Sequence, residues 1–172
     1  MTEEESSAFG VDFAWKAHDS ISDWTARVDI KASVLLSIDS GLVGLIVALS
    51  SGTGPLSGLK NGAVVSYRLG VVALCISTAL AIGVIFPQLD RRATRGSWKG
   101  QLIYFGYLRR HSPDELRKRL AKLTPEDASQ VIARQLVETS KIVWRKHSLF
   151  QFAVIALAAA AVCFLVMQVL HH

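Results

Sequence analysis

The chain has 172 residues, 51% of them hydrophobic and only 8% aromatic, with a mean hydropathy of +0.34. Ala, Val, Leu and Ile supply most of that apolar content, which is the profile of membrane spans rather than of a packed soluble core. Lys and Arg outnumber Asp and Glu by 19 to 14, an excess that says little until the charges are placed along the chain, and no nucleic-acid partner is expected.

Residues 1–31 are acidic and then amphipathic, without the short apolar run and small-residue cleavage site of a signal peptide, so the first span is expected to do the targeting. Ile21, Trp24, Val28, Ala32 and Leu35 recur at three- and four-residue spacing, which predicts one amphipathic helix from about Asp12 into the bilayer. Asp29-Ile30-Lys31-Ala32-Ser33 sets an acid and a base just below the membrane. There Lys31 reads as a side chain that snorkels to the headgroups.

Three segments approach the roughly 20 apolar residues needed to cross a hydrocarbon core: 32–50, 69–86 and 149–170. Only the first holds a charge, Asp39. It lies about 10 Å into the span at about 1.5 Å per residue, and an ionisable group at that depth is costly without a partner or water. Ser33, Ser37, Ser40, Gly41, Gly44 and Ala48 form a narrow face of small residues nearly opposite Asp39. Small faces let helices approach closely. Two placements of the carboxyl follow: presented to a pore or interface, or protonated and bonded to a neighbouring helix. The second span carries a similar face in Gly70, Ala73, Ser77 and Ala81, and a homo-oligomer built through such faces is expected. Cys75 and Cys163 fall within apolar runs and read as small buried hydrophobes.

Lys and Arg number three in residues 1–31, two in the Gly-rich loop 51–68 and fourteen in residues 87–148. The positive-inside rule therefore places 87–148 in the cytoplasm, the 51–68 loop outside, and the N-terminus inside. The expected architecture is an all-α, multi-pass membrane protein: three transmembrane helices, with a small helical cytoplasmic domain between the second and third. Within 87–148, Ser112-Pro113-Asp114-Glu115 reads as a capping box with Pro at the first helical position, and Thr124-Pro125-Glu126-Asp127 repeats the device with Asp in the last place. The first start opens a short basic helix. The second opens a helix of some 45 residues, with Ile132, Leu136, Ile142 and Val143 near helical spacing and neither Gly nor Pro before the third span. Gly96–Arg110 is the least regular stretch and mixes glycine, aromatic and basic residues, a composition typical of ligand-bearing loops.

No nucleophile elbow, phosphate-cradling glycine loop, zinc-binding His pair or Cys pair at metal spacing occurs. His18, His111 and His147 are isolated, and no catalytic residue, metal or cofactor is expected. Trp144 suits an aromatic anchor at the membrane boundary.

Asp29-x-Lys31-Ala32-Ser33 opening a span, Tyr104-Phe105-Gly106, the helix start at Thr124, and Ile142 followed by Lys146-His147 before the last span together resemble the transmembrane effectors of the bacterial Pycsar antiphage system. The similarity runs from about Trp15 onward, carried by the order and spacing of short motifs. The resemblance implies a non-enzymatic effector at the inner cell membrane. A partner pyrimidine cyclase would make 3',5'-cyclic CMP or cyclic UMP on infection; the effector would sense it and impair the membrane, an abortive infection.

A cyclic mononucleotide offers one negative charge and an aromatic base, so its receptor needs a cationic group and a stacking surface. On that chemistry Arg109 or Arg110, with Tyr104, Phe105 or Tyr107, are the candidate ligand-binding residues, and Asp29, Lys31, Lys146 and His147 the candidates for coupling to the spans. The competing reading is a constitutive membrane adaptor or holin-like protein whose basic loop meets anionic lipid without any nucleotide.

Overall fold

A computed structural model describes residues 3–50, 59, 62–86, 108 and 111–171, with side chains from residue 9 onward. The described elements are all helical: α1 (Glu3–Ser50), α2 (Gly62–Ile85), α3 (Pro113–Leu120) and α4 (Pro125–His171). Three of them, α1, α2 and α4, are long and apolar enough to cross a membrane. Even the 24 residues of α2 extend about 36 Å at about 1.5 Å per residue, beyond a hydrocarbon core of about 30 Å. Large hydrophobics such as Val34, Ile38, Leu69, Val72, Ile155 and Leu165 point outward. Water would penalise that surface and lipid solvates it.

The chain divides into two compact units, one drawn from residues 1–25 and 88–144, the other from 26–87 and 145–172. In the first, α3 starts where the sequence places it: Ser112 is the N-cap, its Oγ accepts from the Glu115 amide at 3.2 Å, and Pro113 follows. The Glu115 carboxylate accepts from Arg119 at 3.0 Å instead of closing the box. The start of α4 is reciprocal. The Asp127 amide donates to Thr124 Oγ1 at 3.1 Å, while the Thr124 amide and hydroxyl donate to Asp127 Oδ2 at 3.2 and 2.7 Å. These bonds hold the Asp127 carboxyl below the usual aspartate range, the hydroxyl contributing most. Ile132 and Val143 are buried on α4. Along α1 the inward stripe is Ile21, Thr25, Val28, and Trp24 turns outward, 55% exposed.

The second unit is a three-helix bundle. On α4 the buried residues Lys146, Ala153, Ala160 and Met167 recur every seventh position; on α2 Ala63, Gly70, Ser77 and Val84 do the same; on α1 Val28 and Leu35 pair with Ala32 and Asp39. A seven-residue repeat keeps one seam inward along helices that supercoil left-handedly. The layers fix the directions. Val28 and Ala32 pack with Val84, Leu149 and Phe150 at one end, and Leu35, Ala81 and Ala153 form the next layer. At the other end Ser50 and Tyr67 hydroxyls lie 3.0 Å apart, and Ser66 donates to the Cys163 carbonyl at 2.7 Å. Helix α1 is thus parallel to α4 and antiparallel to α2.

The small face of α1 is exposed, and a Cβ at Gly41 or Gly44 would meet no atom within 4 Å among the described residues. Its serines donate to their own helix, Ser33, Ser37 and Ser40 to the carbonyls of Asp29, Ser33 and Leu36, so they need no neighbour. Close packing uses the α2 face instead, where a Cβ on Gly70 would stand 2.7 Å from the Phe164 ring. One expectation, the burial of Cys75, needs correction here: the residue is exposed, because it follows the inward Leu74 and falls off the seam.

Candidate functional site

Besides the Ser50–Tyr67 contact, two buried or half-buried polar contacts join α1 to the other helices among the described residues. Near the end where α1 and α4 enter it, Lys146 Nζ donates to both oxygens of Asp29, at 2.6 and 2.8 Å. The Lys146 side chain is 8% exposed and that of Asp29 36%, so the pair is half shielded from solvent. Its geometry follows from the seam: Lys146 occupies the position seven residues before Ala153, and Asp29 lies beside Val28 and Ala32 at the same level. Lys31 and His147 are exposed.

Further in, Asp39 is fully buried. Its Oδ2 accepts from Ser77 Oγ at 2.8 Å and faces Thr78 Oγ1 at 3.4 Å, the Thr78 hydroxyl also donating to the Leu74 carbonyl at 3.0 Å. The other oxygen, Oδ1, has no hydrogen-bond partner. Of the two placements open to it from sequence, the carboxyl lies against α2, inside the bundle.

At the opposite end, residues including Leu42, Ile46, Leu49, Tyr67, Phe164 and Met167 line an apolar cavity of about 480 Å³. Its polar lining residues are Tyr67, Gln168 and His171. The candidate ligand-binding residues Tyr104, Phe105, Tyr107, Arg109 and Arg110 lie outside the described residues. Among the described coupling candidates, the structure joins Asp29 to Lys146 and leaves Lys31 outside that contact.

These contacts sit within a segment that matches, over residues 13–171, a family model described as the Pycsar effector protein domain. The chain belongs to the Pycsar effector family. No curated protein and no solved structure matches it. Membership makes the protein an effector of antiphage defence, and its three long apolar helices make it a membrane protein. The motif Asp29-x-Lys31-Ala32-Ser33 thereby acquires a structural meaning in this effector: its acid grips Lys146 and its alanine fills the first layer of the bundle.

Sequence reasoning singled out Asp39 but not its partners. In the sequence Ser77 belongs to the small face of α2, and Thr78 carries no motif. The usable signal was depth: the charge near the middle of the first span and adjacent hydroxyls at the middle of the second occupy the same level when the helices run antiparallel.

Proposed function

We propose that this effector senses 3',5'-cyclic CMP or 3',5'-cyclic UMP, made by a partner pyrimidine cyclase, and responds by impairing the inner cell membrane. The observation that carries the reading is membership of the Pycsar effector family over residues 13–171 in a chain with three membrane-length helices. In this reading the N-terminus and the basic segment 87–148 face the cytoplasm, with spans at 32–50, 69–86 and 149–170. The nucleotide is taken by Arg109 or Arg110 with Tyr104, Phe105 or Tyr107. Helices α1 and α4 each continue without a break into their apolar stretches, so ligand-driven movement of their N-terminal parts has a rigid route to the spans, with Asp29, Lys31, Lys146 and His147 at the junction. A ligand shifts such an equilibrium only by binding one state better than the other.

Assembly of several copies belongs to the same reading. Among the described residues the bundle's inner faces are filled by Val28, Leu74, Val84 and other fully buried side chains, so in this reading a path through the membrane forms between copies.

Labelled cyclic CMP and cyclic UMP added to detergent-solubilised protein test the sensing step: saturable binding of either is expected, weakened by Arg109→Ala or Tyr104→Ala. Dye leakage from cells supplied with the nucleotide tests the outcome. Absence of binding by both nucleotides overturns the reading.

A further inference from the structure

Asp39 is left without a role by the reading above. We propose that Asp39, Ser77 and Thr78 form a binding site for a small monovalent cation at the middle of the bundle, a site that does not depend on nucleotide sensing.

Four observations converge on it. First, the carboxyl is 0% exposed and one oxygen, Oδ1, has no partner. Buried polar atoms are almost always satisfied, so an orphaned carboxyl oxygen calls for a water or an ion. Second, nothing of opposite sign is at hand: the stretches 32–50, 69–86 and 149–170 contain one charged side chain, Asp39 itself. Among the described residues its side-chain bonds are to neutral hydroxyls. Third, those hydroxyls are acceptors as well as donors. Having donated to Oδ2, Ser77 Oγ keeps lone pairs for a cation, as does Thr78 Oγ1 after donating to the Leu74 carbonyl. The set is therefore all oxygen, with no thiolate or imidazole, which suits a hard cation rather than a transition metal. Fourth, an ionised Asp39 is matched by a single positive charge. One carboxylate neutralises one positive charge, whereas a divalent ion would leave an excess charge among the apolar layers of Leu35, Ala81 and Ala153, at a high desolvation cost.

Helix backbones satisfy their own amides and carbonyls within the span, so the side-chain oxygens and any water that accompanies the ion are the available ligands.

Full-length protein in detergent, unfolded by heat at fixed pH and ionic strength in lithium, sodium, potassium or N-methylglucamine chloride, tests the assignment. At least one alkali chloride is expected to raise the Tm saturably over the organic cation. Asp39→Asn keeps the size and an acceptor for Ser77, and it should abolish that rise. Ser77→Ala, which leaves the carboxyl in place, should shift the half-saturating concentration upward by roughly tenfold, the loss of one ligand-strength interaction. If the Asn variant does not fold, Ser77→Ala and Thr78→Val carry the same comparison. Equal Tm values in all four salts overturn the proposal, as does a cation effect that survives Asp39→Asn, or a Tm that responds to pH while ignoring which cation is present.

Discussion

Lys146 Nζ lies within hydrogen-bond distance of both carboxylate oxygens of Asp29, so α1 and α4 are joined by a two-pronged ion pair at the end where both enter the bundle. Removing one partner strands the other. For a wholly buried pair the cost is about 3–5 kcal/mol, and the partial exposure of Asp29 lowers it here to roughly 1–3 kcal/mol. Lys146→Met and Asp29→Asn should each destabilise the detergent-solubilised protein by that order, while the double variant loses less than the two losses added. A thermal-unfolding double-mutant cycle checks this, and strict additivity would show that the pair contributes no coupling.

Gly70 and Phe164 make the second close contact of the bundle. A Cβ on Gly70 would stand 2.7 Å from the ring edge. Gly70→Ala gains about 1 kcal/mol of helix propensity but forces the ring aside at about 1–3 kcal/mol, so its net effect is small. Gly70→Leu has no such balance and should lower the Tm clearly. Gly83, whose added Cβ would meet Leu149 at 4.0 Å, is the control: Gly83→Ala should be neutral or stabilising. Equal losses at both positions would contradict the packing described.

The run Ala158–Ala161 shows what the sequence could and could not disclose. Composition identifies it as part of a span, but four identical residues carry no periodicity, and which of them faces inward is undetermined until the seven-residue register is fixed by Lys146, Ala153 and Met167. The same holds at larger scale. The presence of three helices long and apolar enough to span, the helix starts at Ser112 and Thr124, and the long α4 are legible because length, caps and the absence of Gly and Pro are local properties. Partners are not. That Asp29 takes Lys146, 117 residues away, or Asp39 takes Ser77, depends on helix direction and rotation, which only packing sets. The proposed nucleotide-binding residues rest on chemistry alone.

From that register a substitution scan follows. Ala160 is 0% exposed, whereas Ala158, Ala159 and Ala161 face outward. Ala160→Leu overpacks the seam and should cost about 1–3 kcal/mol. The same change at Ala158, Ala159 or Ala161 adds apolar surface toward lipid and should fall within about 0.5 kcal/mol. Thermal or denaturant unfolding of the four variants in one detergent would reveal the pattern, and a loss shared by all four would mean that the helix is rotated from the described position.

The reciprocal cap at Thr124 and Asp127 makes the start of α4 sensitive to acid. Thr124's hydroxyl and amide favour the ionised carboxyl, so the Asp127 pKa in the folded helix lies below its unfolded value. A group depressed on folding contributes stability that is fully present above the unfolded aspartate pKa. That contribution disappears as pH falls through the folded one. Around neutral pH the first turn of α4 is therefore indifferent to pH, and below the ordinary aspartate range it should fray. Amide hydrogen exchange at Ala128 and Ser129, whose positions follow the cap, should accelerate, after correction for intrinsic rates, only in that acidic window. Asp127→Asn, which keeps an acceptor but has no charge to lose, should remove the acid step while leaving the helix start in place. A step that persists in the Asn variant would assign the acid sensitivity to another carboxylate, with Glu126 beside it the next to test.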